Sequence, residues 1–402
     1  MDCELLIIGG GAAGQTAALS ALEHGIKDII IVEKSDKIGG NICKKIDLCT
    51  SDKNLVSILK ELDIGPNHVS NQSKWYSPSE IEFDFKSRIS DLWFKRGSTT
   101  DSFDVRIANI VNKKGGKILL NHEATKIEVE KDLVRVKLKY KNETKELKSK
   151  TIISSEGLNS IFIKKRDYFP ILSSGFYGKQ FDMDEGVPYI FFDNQKAYGS
   201  YVFILKDPND GVGYIINGYL QKKDKTDPET KITEITKNNN IIKNILKNVE
   251  RQGNIRGTLF AAKPLPKIGY NKVLLTGDSA GLMDSLLHYG LKQAIISGYY
   301  SSKIMSNFLQ EDNRYIKEYN NFYFHNFKQK LDVAYFYRKI FNKINNQDID
   351  ILFKMLNDFK KYDVNFDDLF DYPKKHLKTI FKIIIQNPSC LRLIPKIMTA
   401  VY

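Results

Sequence analysis

Cys3-Glu4-Leu5-Leu6-Ile7-Ile8-Gly9-Gly10-Gly11-Ala12-Ala13-Gly14 is the stretch that decides the fold. Residues 3–8 read as a short buried strand, Gly9 to Gly14 as a turn, and Gln15 to Glu23 as a helix; Ile29-Ile30-Ile31-Val32 supplies the next strand. This is a βαβ unit, and its turn fits G-x-G-x-x-G through Gly9, Gly11 and Gly14. Glycines there let the backbone approach a pyrophosphate, whose charge is met by the amino terminus of the helix. Glu33 ends the second strand about 20 residues on, where a carboxylate accepts both ribose hydroxyls and would repel a 2′-phosphate. A glycine-rich turn in an unrelated α/β domain is the bland alternative, and dinucleotide binding outweighs it.

A second segment selects the dinucleotide. Val273-Leu274-Leu275-Thr276-Gly277-Asp278-Ser279-Ala280-Gly281 is a buried strand followed by Gly-Asp, which places a carboxylate at the strand's end. There it can bond a ribityl hydroxyl, and only flavins carry a ribityl chain. The expected cofactor is FAD.

Working outward, Lys117 to Val129, Val134 to Tyr140 and Thr151 to Ser155 read as strand pieces of the first domain returning after an excursion through residues 75–95. Tyr189 to Phe192, Tyr201 to Leu205 and Val212 to Ile216 are aromatic strands, with Pro208-Asn209-Asp210-Gly211 as a turn. Residues 228–250 read as polar helix, Arg256 to Ala262 as strand, and helical periodicity dominates from Leu291 onward. The expected fold class is α/β (α+β, two domains): a Rossmann-like FAD-binding domain of residues 1–75, 96–165 and 263–300, an inserted antiparallel-sheet substrate domain of residues 76–95 and 166–262, and a helical region over 301–402.

Composition agrees with folded domains of this size: 402 residues, 42% apolar and 27% charged. The four cysteines, Cys3, Cys43, Cys49 and Cys390, form no CxxC pair, so reduced thiols in the cytoplasm are the simpler reading, and no cluster has metal-ligand spacing. No apolar run approaches the roughly 20 residues of a membrane span. Leu5 to Ile8 follow acidic residues and run into the glycines, unlike a cleavable signal.

With these motifs in place the chain resembles the geranylgeranyl reductase family, flavoproteins of the p-hydroxybenzoate hydroxylase type of fold, along nearly its whole length. Cys43, in Gly39-Gly40-Asn41-Ile42-Cys43-Lys44, falls where that family carries a cysteine beside the flavin. Arg96 with Phe103-Asp104 resembles the family's arginine and F-D pair, which implies that the arginine contacts FAD. Ala124 corresponds to a backbone position on the adenine side, and Ser155-Glu156-Gly157-Leu158-Asn159-Ser160 is similar to A-D-G-x-x-S with Glu for Asp. Gly277 to Gly298 follow G-D-A-A-G, P-x-x-G-E-G-I and A-x-x-S-G without a gap. Ser285, His288, Tyr289 and Leu291 stand where Pro, Gly, Glu and Ile are usual. Of the family's Y-x-W-x-F-P-K, the segment Ser200 to Lys206 keeps only the lysine.

Turn and resemblance together give the expected cofactor contacts: Gly9, Gly11, Ala13, Gly14, Glu33, Lys34, Cys43, Lys44, Arg96, Ala124, Gly277, Asp278, Gly281, Gly290 and Leu291. Cys43 and His288 are candidate catalytic residues, each with buried packing as the alternative. Tyr201, Phe203 and Lys206 are candidate substrate contacts. The resemblance implies an FAD-dependent reductase of C=C bonds in isoprenoid chains, supplied by an external electron donor: NAD(P)H, a ferredoxin or a deazaflavin. An aromatic hydroxylase-type monooxygenase shares fold and cofactor, but its usual His after Gly-Asp-Ala-Ala is here Gly281. A flavin-binding protein with a diverged substrate is a further alternative.

The net charge of +13 points to an anionic surface. No nucleic-acid recognition motif accompanies it. Lys374, Lys375, Lys378, Lys382, Arg392 and Lys396 lie in residues 373–402, which hold no acidic residue. That segment reads either as a helix on anionic lipid or as a terminal helix packed on the body. The expected location is the cytoplasm, at the inner face of the cell membrane.

Overall fold

The computed structural model describes residues 2–40, 45–158, 160–163, 167–194, 201–220, 228–308 and 314–360, and beyond these residues 378, 382–383, 388–393 and 395–396. The chain divides into two units, Met1–Asn67, Trp93–Tyr168 and Phe260–Tyr335 in the first and His68–Leu92, Phe169–Leu259 and Phe336–Tyr402 in the second. The residues 301–402, expected as a helical region of their own, are shared between the two units at Tyr335/Phe336.

The first unit is built on a parallel sheet. Strand Cys3–Ile8 lies between Ile29–Val32 and Glu143–Ser154, with Leu6 opposite Ile30 on one side and Ile152 on the other. Val273–Leu275 pairs outside Glu143–Ser154, and Lys117–Leu119 outside Ile29–Val32. Every residue of Ile29–Val32 and Val273–Leu275 is buried. Strands covered on both faces have no polar side to alternate with, so they read in sequence as unbroken apolar runs.

An antiparallel meander of His122–Val129, Val134–Tyr140 and Glu143–Ser154 extends this sheet. The stretch Lys117 to Val129, expected to be one strand piece, breaks at Leu120-Asn121. Asn121 takes φ +60°, a left-handed value that asparagine tolerates, and its N–H donates to Ser35 O. Helix Ala12–Glu23, rich in alanine, packs on helix Leu291–Phe308. Small residues bring the two backbones together: a β-carbon on Gly298 would lie 2.3 Å from Ala13 O, Ser302 Oγ donates to Ala17 O, and Ser20 Oγ to Tyr299 O.

The strands of the second unit run in the order Glu250–Ala262, Tyr168–Lys179, Gly213–Leu220, Tyr201–Lys206, Tyr189–Phe192, His68–Tyr76, Glu82–Arg96. Its pairs are antiparallel around the hairpin Tyr201–Lys206/Gly213–Leu220, whereas Tyr189–Phe192 runs parallel to His68–Tyr76. Val202, Ile204 and Ile215 pack against Ile232, Ile235, Ile242 and Ile245 from the helices Pro228–Asn238 and Asn240–Ile245. A second core joins Phe83 to Ile349, Phe353 and Phe359 of helix Asn346–Lys360, with Ile383 and Leu393. Among the described residues no helix is long and apolar enough to cross a membrane.

Candidate functional site

The three motif glycines of the turn do different work. Gly9 has φ +102°, and a β-carbon on it would lie 2.3 Å from Ser155 O; one on Gly14 would lie 2.0 Å from Gly9 O and 2.4 Å from Ser155 Oγ. These two let the turn and helix close onto the end of strand Glu143–Ser154, where Ser155 Oγ is within hydrogen-bond reach of the carbonyls of Ile8 (2.8 Å) and Gly9 (2.9 Å). Gly11 has ordinary φ −78°, and nothing lies within 4 Å of the place its β-carbon would take. It stands at the N-cap of Ala12–Glu23 with no side-chain cap bond. The first-turn amides of a helix have no intrahelical partner, so an uncapped start facing open space is a cradle for an anion.

Glu33 sits beside this cradle. Its Oε2 accepts the Gly10 N–H at 2.7 Å and Oε1 the Ser35 N–H at 2.9 Å, which fixes the carboxylate while each oxygen keeps a second acceptor site. Lys34 is exposed. The Glu33 carbonyl accepts the His122 N–H at 2.9 Å, which ties the start of the strand that carries Ala124 to the residue after Ile29–Val32; the register of that strand slips between Ala124 and Lys126. Fully buried Gln15 donates from Nε2 to Gly10 O at 2.6 Å, and its Oε1 has no hydrogen-bond partner.

The second segment reaches the same place. A β-carbon on Gly277 (φ +56°) would come within 2.9 Å of Ala13 Cβ, and the Gly277 N–H donates to Ser297 Oγ at 3.0 Å. Asp278 lies in a 3-10 turn, Gly277–Ala280, closed by Gly281 at φ +70°, whose N–H donates to Asp278 O. Asp278 Oδ1 is 3.3 Å from where a β-carbon on Gly290 would stand, and buried Leu291 opens the helix Leu291–Phe308. Two motifs roughly 270 residues apart in the chain thus meet at Ala13 and Gly277. The loop that follows the second motif is closed by Asp284: Oδ1 accepts the N–H groups of Leu286 and Leu287, its carbonyl accepts that of His288, and its own N–H donates to Tyr289 O. His288 holds φ +59° there.

Arg96 is buried, and all three of its guanidinium nitrogens face carboxylates. Nε and Nη2 donate to the two oxygens of fully buried Asp104, each at 2.9 Å, and Nη1 donates to Asp47 Oδ2 at 2.6 Å. Lys45 reaches the other Asp47 oxygen at 2.9 Å. Burial pushes the Asp47 carboxyl up, but Lys45 and Arg96 more than offset it and hold it below the usual range. The contact with FAD that the resemblance implies for Arg96 is left to whatever donor hydrogens these carboxylates do not take.

Asp47 is the partner that sequence reasoning missed. Its signal was Lys45 and Asp47 at the two-residue spacing that puts both on one face of strand Lys45–Thr50. Cys43 and Lys44 lie outside the described residues. Cys3 and Cys49 are buried, and loss of water pushes the Cys3 thiol up to about 11, away from reactivity. Among the described residues no group of three or more His, Cys, Asp or Glu is placed to hold a metal.

In the second unit Phe203 is buried, Tyr201 packs 6.0 Å from Phe192, and Lys206 pairs with Glu185 at 3.0 Å. The aromatic strands of this unit, which carry the candidate substrate contacts, spend several of their rings on structure. Tyr189 and Phe191 belong to the core with the helix isoleucines, and Phe192 packs on Phe341 and Phe353.

A family described as FAD dependent oxidoreductase matches residues 4–161, the span that holds the glycine turn, Glu33 and Arg96. Digeranylgeranylglycerophospholipid reductase 1 of Methanococcoides burtonii is 21% identical over 383 residues, 90% of each chain. The chain is an FAD-dependent oxidoreductase. A geranylgeranyl bacteriochlorophyll reductase-like protein from Thermoplasma acidophilum shares its fold, with a TM-score of 0.75 at 19% identity over 88% of this chain and 91% of that one. So does a point mutant of the halogenase PltM in complex with FAD, at 0.69 and 11% over 99% and 96%. This FAD-dependent oxidoreductase has what such a cofactor requires: open space at Gly11, an uncapped helix start, a fixed acceptor at Glu33 and a carboxylate at Asp278.

Proposed function

We propose that the protein is an FAD-dependent reductase that saturates C=C bonds in geranylgeranyl chains of a membrane lipid or a prenyl diphosphate. What supports this reading above all is the similarity to a digeranylgeranylglycerophospholipid reductase over nine-tenths of both chains. The first-turn amides of helix Ala12–Glu23 take the pyrophosphate, Glu33 the ribose, and Asp278 the ribityl chain. Gly290 and the start of helix Leu291–Phe308 turn positive backbone potential toward the flavin pyrimidine. Bound FAD, once reduced, supplies hydride. The protein's own tasks are to hold the alkene in place, to exclude water, and to deliver a proton to the carbon that does not receive the hydride. Cys43 is proposed to lie beside the flavin. Lys206, held by Glu185, and the strand carrying Tyr201 and Phe203 are assigned to the substrate. Electrons come from NAD(P)H, a ferredoxin or a deazaflavin, and the protein works at the inner face of the cell membrane against anionic lipid.

The test is mass spectrometry of geranylgeranyl lipids incubated with the dithionite-reduced protein, in which two hydrogens per double bond should appear. Oxygen consumption coupled to NAD(P)H, with no saturated product, overturns the reading in favour of a monooxygenase. Replacing Cys43 with Ala should lower turnover, and unchanged turnover removes it from the site.

A further inference from the structure

Gln15, in the first half of helix Ala12–Glu23, is fully buried. Its side chain folds back past the helix start, where Nε2 donates to Gly10 O at 2.6 Å. A carbonyl only accepts, so the NH2 end of the amide has to face Gly10, and Oε1 is the other end. Amide geometry keeps Oε1 within about 5 Å of Gly10 O. Among the described residues none donates a hydrogen bond to it. A buried amide oxygen without a donor is costly to fold, and in native proteins it calls for a partner.

The neighbouring contacts show which side of the cradle Gln15 serves. Ala13 meets Gly277 and Gly298, and Gly14 meets Gly9 and Ser155. Each step along a helix turns about 100°, so Gln15 stands about 200° round from Ala13, on the side away from Gly277. That is the side of Glu33: Gly10, whose carbonyl Gln15 holds, donates its N–H to Glu33 Oε2 at 2.7 Å. Across the carboxylate the Ser35 N–H donates to Oε1 at 2.9 Å, and among the described residues buried Ser35 Oγ has no hydrogen-bond partner either. Glu33 is therefore flanked by two oxygens with unused bonding capacity.

We infer that Gln15 Oε1 accepts a hydrogen bond from the adenosine ribose of FAD, taking the 3′-hydroxyl while Glu33 takes the 2′-hydroxyl. This rests on the reading that gives the pyrophosphate to the first-turn amides and the ribose to Glu33. The pyrophosphate is not the partner, because its oxygens carry no proton near neutral pH and repel an amide oxygen. On the adenosine side of the pyrophosphate the nearest donors are the two ribose hydroxyls, and the adenine amino group lies at the far end of the molecule. Of the two, the 3′-hydroxyl is closer along the sugar to C5′, and so to the cradle at Gly10 and Gly11. Each Glu33 oxygen already holds one backbone N–H, and a second acceptor lets both hydroxyls be met without crowding one carboxylate. One amide thus does two things: its NH2 braces the turn, and its oxygen takes the sugar.

The test titrates the full chain, freed of flavin, with FAD, ADP, 2′-deoxy-ADP and 3′-deoxy-ADP by calorimetry, for the wild type, Gln15→Met, Gln15→Leu and Glu33→Gln. Wild type should bind ADP about 5-fold or more tighter than 3′-deoxy-ADP, the worth of one hydrogen bond. In Gln15→Met and Gln15→Leu that preference should fall to within about 2-fold, and FAD affinity should drop by about 5-fold to 10-fold. Their preference for ADP over 2′-deoxy-ADP should match wild type, and their flavin-free thermal midpoints should stay close to it. A wild type that binds ADP and 3′-deoxy-ADP equally overturns the inference, and this arm needs no variant to fold. A 3′-preference that persists in both apolar variants also overturns it, as does an equal weakening of all four ligands, because Gln15 then only braces the turn. Glu33→Gln separates the two levels: weakened FAD binding leaves the ribose assignment standing whatever Gln15 does, and unchanged FAD binding overturns that assignment and this inference with it.

Discussion

Gly11 and Gly14 lie three residues apart in one turn and meet an added methyl group differently. A β-carbon at Gly14 would strike Gly9 O and Ser155 Oγ, whereas one at Gly11 would meet nothing within 4 Å. Gly14→Ala should therefore lower the thermal midpoint of the protein with or without flavin. Gly11→Asp should leave the cofactor-free midpoint near wild type and abolish flavin retention, because its carboxylate enters the space assigned to the pyrophosphate. Equal midpoint losses in the two variants would contradict this division of labour. Arg96 tests a different kind of dependence. Arg96→Ala strands the fully buried Asp104 carboxylate, at a cost of about 3–5 kcal/mol, and Arg96→Met with Asp104→Leu should restore most of it; urea titration measures both. The glycines, Glu33 and Asp278 were legible in the sequence because each is a local motif: a fixed spacing next to a strand. Asp47 was not, because its meaning comes from a buried arginine 49 positions away.

At the scale of elements, the short helix Lys53–Glu61 shows how one carboxylate can join two helices. Asp52 caps it, accepting the Leu55 N–H at 2.7 Å, and pairs with Lys292 near the start of Leu291–Phe308. Burial raises the Asp52 carboxyl, but the amide and the lysine lower it further, so its folded value lies below the usual one. A depressed carboxyl contributes stability above the unfolded value of about 4 and loses that contribution as pH falls through the folded value. Asp52→Asn should thus lower the thermal midpoint at pH 6 and flatten its fall between pH 6 and 3; parallel curves would rule out the role. The strands buried on both faces were legible as apolar runs. Lys45–Thr50, this helix and Tyr168–Lys179 were not, since polar, serine and glycine positions dilute their periodicity and tertiary partners stabilise them.

For the whole molecule, the basic C-terminal residues need to be separated from the C-terminal core. Ile383 and Leu393 are buried with Ile349 and Phe353, and Arg392 and Lys396 both pair with fully buried Asp348. Deleting residues 373–402 should therefore destabilise the second unit, read as a lower thermal midpoint. Lys378→Gln, at an exposed site, should leave the midpoint near wild type while weakening flotation with anionic vesicles. Unchanged flotation would exclude this lysine from lipid attraction. The meeting of Ala13 with Gly277 also has a consequence for biosynthesis. The first βαβ unit leaves the ribosome early, but the carboxylate and helix start that complete its cradle emerge only after residue 291. At roughly 5–20 residues per second, a nascent chain carries a half-built flavin site for about 15–60 s, so truncated translation products that keep the whole glycine turn should emerge colourless.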